Sequence, residues 1–127
     1  MTTHPIADGV KRVVEISKNV LGFPITVTAT PAGSDRNVVI LGGCAPHIGS
    51  VSLAEYHDGV VTLRTLLRDT HKDQIVGDRF ARVLAKRSKC AVCVSCGIHY
   101  DNADQQQLQQ IVAATEELLA ALCERIS

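Results

Sequence analysis

A chain of 127 residues that is 46% hydrophobic and 20% charged has the size and composition of one ordinary globular domain, able to bury a core without disulfide or metal staples. Its 13 basic and 13 acidic residues cancel, which removes any global attraction to nucleic acid or to an anionic membrane. Aromatic residues are confined to Phe23, Tyr56, Phe80 and Tyr100, and no apolar run is long enough to span a bilayer, so neither base-stacking platforms nor a membrane helix is supplied.

Residues 10–20 fit either a strand or a short helix, with Val13, Val14 and Ile16 favouring a strand that ends at Gly22 before Pro24. From Ile25 to Thr30 the chain alternates, with Ile25, Val27 and Ala29 on one side and three threonines on the other. That pattern predicts a half-buried strand with a wet or edge-facing threonine side. Pro31 to Asp35 reads as a loop. Val38-Val39-Ile40-Leu41 reads as a fully buried strand, because no polar residue interrupts it, and it stops at Gly42-Gly43. Ser50 to Tyr56 is another strand, predicted to turn Val51 and Leu53 inward. Asp58-Gly59 joins it to Val60–Leu63 as a two-residue hairpin.

A helix is predicted from about Thr70, where Thr70 and Asp73 have capping-box spacing, with Val76, Phe80, Val83 and Leu84 as its buried stripe. Arg79, Arg82, Lys86, Arg87 and Lys89 form a solvated basic face that suits the carboxyl end of the helix dipole. Val92, Val94, Cys96 and Ile98 then line one face of a strand. Cys90, Cys93 and Cys96 share the spacing of part of an iron–sulfur ligand run, but its fourth cysteine and proline are missing. Strand residues three apart point to opposite faces, so these thiols are read as small buried hydrophobes. Asn102 or Asp104 caps a last helix, with Gln105 or Gln107 completing the box. Its wide stripe runs through Leu108, Ile111, Val112, Thr115, Leu118, Leu119 and Leu122, broad enough for a core and a partner. The order predicts an α+β two-layer sandwich, a mostly antiparallel sheet of about five to six strands with two main helices on one face. Five cysteines, an odd number, and an amino terminus without a signal-peptide pattern point to a cytoplasmic protein.

Three polar islands interrupt this ordinary sequence, each at the end of an element: Gly42-Gly43 with Pro46-His47-Ile48-Gly49, then Thr70-His71-Lys72-Asp73, then Gly97-Ile98-His99-Tyr100-Asp101. Glycines at a strand end let a ligand approach the backbone, but the Lys-Ser/Thr ending of a phosphate-binding P-loop is absent. At the second island, capping explains Thr70 and Asp73 but not His71 or Lys72, whose positive charge opposes the helix dipole. That mismatch points to an anionic ligand. Gly97 marks a close approach, and His99 and Asp101 share a strand face. His4 and His57 read as solvated. Three imidazoles and a carboxylate suit a divalent metal, with His47, His71 and His99 as candidate ligands, or a phosphate or heterocycle held without metal. A small enzyme using His99 with Asp101, or His71 with Asp73, as an acid–base pair is a further possibility. So is a structural subunit that docks through its last helix.

Taken together and in this order, the three islands resemble the prenylated-flavin chaperone family, the small D subunit of gallate-type decarboxylase systems. The likeness covers roughly residues 38–115, departing at Thr70, where a glycine is expected, and at the cysteine-rich strand before Gly97. It implies one non-catalytic accessory domain over residues 1–127 that binds reduced prenylated FMN and delivers it to, or protects it for, a UbiD-type decarboxylase. A divalent metal at the phosphate, contact with a flavin prenyltransferase and a homodimer are further expectations. The cofactor-binding residues implied are Gly42, Gly43, Pro46, His47, Ile48, Gly49, His71, Lys72, Asp73, Gly97 and His99.

Overall fold

The computed structural model of the chain describes residues 12–68 and 72–126. Six strands, β1 (Val14–Val20), β2 (Phe23–Ala32), β3 (Asp35–Gly43), β4 (Ser50–His57), β5 (Val60–Leu67) and β6 (Val92–His99), form one sheet in the order β1-β2-β3-β6-β4-β5. Two helices, α1 (Lys72–Ser88) and α2 (Gln105–Arg125), complete the fold. Every neighbouring pair is antiparallel except β3 with β6. The α+β two-layer sandwich expected from the element order is therefore the observed architecture. No helix among the described residues is long and apolar enough to cross a membrane.

The core lies between the sheet and the helices. Ile25, Val27, Ala29, Val38, Ile40, Val92 and Val94 are at most 1% exposed. Against them pack Phe80 and Leu84 of α1 and Leu118, Leu119 and Leu122 of α2. Full burial of one such large side chain is worth about 1.5–3 kcal/mol. Asp104 caps α2: its carboxylate accepts the Gln107 N–H at 2.8 Å, and the Gln107 side chain accepts the Asp104 N–H at 3.0 Å, the capping box expected from sequence. Lys18 on β1 pairs with Glu117 and fastens α2 to the sheet.

Four details correct the sequence reading. The predicted loop at 31–35 shrinks to a tight turn, because β2 continues to Ala32 and β3 begins at Asp35. β3 is buried on one side only: Val39 and Leu41 are 38% and 36% exposed, since both helices lie on the opposite face. β4 is reversed, with Ser50, Ser52 and Ala54 under α1 while Val51 and Leu53 face outward. The cause is Gly77, whose missing Cβ would lie 3.1 Å from Ser50 Oγ and 3.2 Å from Ser52 Oγ. The helix rides so low on the sheet that only small side chains fit beneath it. Val112 leaves the α2 stripe and is 49% exposed. Thr70, the expected helix cap, lies outside the described residues, as do His4 and His71.

Candidate functional site

β3 and β6 run parallel and finish together at Gly43 and His99. Ligands of open α/β sheets gather outside the carboxyl ends of such strands. Because β6 lies between β3 and β4, the loop Cys44–Gly49 must pass over the end of β6 to reach β4. Backbone bonds pin this crossing: Cys44 N–H to the His99 carbonyl (2.9 Å), Gly49 N–H to the Cys96 carbonyl (2.8 Å), and Arg68 N–H to the Gly49 carbonyl (2.9 Å).

The glycines of the islands exist for this packing. A Cβ on Gly97 would fall 1.5 Å from the His47 carbonyl oxygen, and one on Gly43 (φ +86°) would fall 1.9 Å from the His99 carbonyl oxygen. A Cβ on Gly49 would fall 1.9 Å from Asp73 Oδ2, and one on Gly42 would fall 2.7 Å from Ile25 Cγ1. The first and third islands therefore touch through bare backbone, and both reach the first turn of α1 through Asp73.

Asp73 is 2% exposed and ties the three segments together. Its Oδ1 accepts the Ile98 N–H at 2.9 Å, and its Oδ2 lies 3.1 Å from His47 Nε2. The other ring nitrogen of His47, Nδ1, lies 3.2 Å from the Ala45 carbonyl oxygen. Both ring nitrogens of His47 thus face oxygen acceptors. The carboxylate also places negative charge where the amino end of α1 attracts it.

His99 has a separate partner. Its Nε2 lies 2.8 Å from Asp101 Oδ1, and the hydrogen bonds from His99 and then from Cys44 hold the Asp101 carboxyl below its usual range. Cys44 Sγ, His99 and Asp101 bring a thiol, an imidazole and a carboxylate within 4.8 Å of one another, a donor set suited to a borderline divalent ion such as zinc. Tyr100 braces this corner, donating to the Val20 carbonyl at 2.9 Å and meeting the Phe23 ring edge-on. Burial, followed by the nearby Cys44, pushes its phenol upward.

Of the residues singled out from sequence, Gly42, Gly43, Pro46, His47, Ile48, Gly49, Asp73, Gly97 and His99 lie on these meeting segments, while His71 and the side chain of Lys72 lie outside the described residues. His47 and His99 face different carboxylates, Asp73 and Asp101. The suggested His71–Asp73 pairing cannot be described, whereas His47 occupies one side of Asp73. Cys90, Cys93 and Cys96 do not converge: Cys96 is buried in the core and Cys93 projects from the other sheet face. Two residues escaped the sequence reading. Cys44 was hidden as one cysteine among five, although its position directly after Gly42-Gly43 is the signal. Arg68, whose guanidinium donates to the Ile48 carbonyl at 3.0 Å, sits at the end of β5, where its strand gave no hint. A separate groove of about 530 Å³ runs between α1 and α2, lined by Ile75, Arg79, Val112 and Glu116 among others and by none of the three islands.

The chain resembles Protein LpdD of Lactiplantibacillus plantarum, with 24% identity over 99 residues that cover 76% of this chain and 73% of that protein. In fold it matches a chain of a crystallised chaperone complex for yeast 20S proteasome assembly, with a TM-score of 0.61 at 14% identity, covering 91% of this chain and 98% of that one. That second likeness concerns the fold alone. The model of the prenylated flavin chaperone LpdD-like domain matches residues 19–127, and the chain belongs to that family.

Proposed function

We propose that the protein is a non-catalytic chaperone that binds reduced prenylated FMN and delivers it to, or shields it for, a UbiD-type decarboxylase. The observation that carries this reading is the convergence of Cys44–Gly49, Gly97–Asp101 and the first turn of α1 at the carboxyl ends of β3 and β6. Bound there, the flavin supplies a phosphate and a flat, largely apolar ring system.

The donor chemistry suits both parts. Arg68 and Lys72 are the cations offered to the phosphate, with His71 and the Asp73-held His47 as further hydrogen-bond donors. Ile48, 50% exposed, offers apolar surface to the ring together with Leu67 and Ile98. Gly42, Gly43, Pro46, Gly49, Gly97 and His99 form the backbone wall. A divalent ion at the phosphate would take His99 with Cys44 and Asp101. The partners in this reading are the decarboxylase, a flavin prenyltransferase during loading, and a second copy of the chain. Five free cysteines, none in a disulfide, favour the cytoplasm.

The test is anaerobic purification with a flavin prenyltransferase present, read by absorbance. A flavin spectrum at one ligand per chain is expected, and its absence under saturating conditions overturns the reading. His47→Ala, His71→Ala and His99→Ala should each lose ligand while keeping the circular dichroism of the folded chain. Normal binding by all three would move the site elsewhere.

A further inference from the structure

We propose that the sheet face opposite the two helices is a homodimer interface, with a second copy packed face to face about a two-fold axis running along the strands. This inference rests on the sheet and is independent of the flavin reading. Both helices lie on one face, yet the other face is not built like a solvated one. From Asn37 to Leu41 of β3, Cys93 to Gly97 of β6 and Val51 to Leu53 of β4, its one ionisable group is the Cys93 thiol. Val39 and Leu41 project from it, and Leu66 at its β5 edge is 75% exposed. Aliphatic side chains in such a contiguous patch mark an interaction surface.

The occupant follows from self-complementarity. The midline of the six strands falls between β3 and β6. A two-fold axis along that line lays β3 of one copy over β6 of the other and keeps each row at its own height. Val39 is in register with Ser95, and Leu41 with Gly97. The axis therefore sets Val39 against the partner's Ser95. Large faces small in that central row, the condition for two sheets to interdigitate, and the contact ends short of Gly97, which the His47 backbone covers. The same axis lays the β1 edge over the β5 edge, with Glu15 in the row of the partner's Leu66 and one row from the partner's Arg64. Six strands at about 4.8 Å spacing and about seven residues long present roughly 650 Å² per copy, close to the ~800 Å² per partner of a standard stable interface. In this arrangement both ligand sites open at the same end of the sandwich.

Light scattering and sedimentation of the full chain at tens of micromolar, without flavin, should give twice the 13.6 kDa chain mass. Val39→Lys or Ser95→Lys places like charges across the axis and should raise the dimer dissociation constant by roughly 100-fold or more, with unchanged circular dichroism. Ser95 already carries a polar side chain on this face, so Ser95→Lys decides the matter if Val39→Lys fails to fold. Mixing Val39→Cys with Ser95→Cys chains under mild oxidation should give a disulfide-linked dimer. Three results overturn the proposal: a wild-type monomer, a dimer that survives both lysines, or a dimer broken instead by Ile75→Lys or Val112→Lys in the helix groove. A chain that is monomeric alone and covers this face only with the decarboxylase falls under the first.

Discussion

His47 Nε2 lies 3.1 Å from Asp73 Oδ2, so the loop that crosses β6 is fastened to the first turn of α1 through a carboxylate that is 2% exposed. Asp73→Ala leaves the Ile98 N–H and the His47 ring without this acceptor, and an unsatisfied buried donor costs about 1–3 kcal/mol. Asp73→Asn keeps an oxygen for Ile98 and should cost less while freeing His47. Urea unfolding with an unchanged m-value checks the order. Equal losses for the two variants would mean that the ion pair, rather than the Ile98 bond, holds the site.

The island glycines make a sharper comparison. Gly97→Ala forces a methyl to within 1.5 Å of the His47 carbonyl oxygen, so the crossing loop must move. Overpacking of this kind costs typically 1–3 kcal/mol, and ligand binding should go with it. Gly33→Ala is the control. Its φ of +63° strains a side chain, but nothing lies within 4 Å, so roughly 1–2 kcal/mol and no change in binding are expected. Intact binding in Gly97→Ala would show that the loop tolerates displacement.

Cys96 should be chemically silent in the folded protein. Burial, and then the negative charge of Asp73, push its thiol well above its ordinary value of 9.0. The sign follows: below pH 9.0 its contribution to stability is complete, and above that pH the unfolded chain ionises first, so stability falls as pH rises. Iodoacetamide at pH 9.0 should modify Cys44 quickly and Cys96 only at the rate of global unfolding. Mass spectrometry of the labelled peptides reads this directly, and labelling of Cys96 alongside Cys44 would contradict it.

Asp101 shows the opposite sign. Its bonds from His99 and Cys44 lower the carboxyl below the ordinary 3.8, so its contribution is present above that pH and lost as pH falls through the lower folded value. The pair is exposed, so global stability should barely register it. A carboxyl carbon titration by NMR should find a midpoint below 3.8 that returns toward 3.8 in His99→Gln. An unmoved midpoint would remove His99 as the cause.

Local pattern revealed the Asp58-Gly59 hairpin, both helices and the Asp104 cap, because each of those is decided within a few residues. It failed at β4, where Val51 and Leu53 look inward by any local rule. What decides that strand is Gly77, more than twenty positions later, which lowers α1 until only Ser50 and Ser52 fit. The same limit applies at Val38–Leu41: the run is uniformly apolar, and nothing in it says that one face has no helix above it. The histidine islands were legible as breaks in local logic. Their meeting was not, because it depends on β6 entering between β3 and β4. The pairing of Asp73 with His47 followed from that same long-range step.

That insertion has a consequence for the order of events in folding. Val39 pairs with Ser95, and Val51 pairs with the same Ser95 from the other side, so both contacts wait until the chain is three-quarters made. Until then β3 and β4 each present a bare strand edge, the usual template for aggregation. Contacts so far apart in sequence also slow the search for the native state. The ligand-binding loops close over the end of that late strand, so a chain able to hold its cargo is one whose folding is already complete.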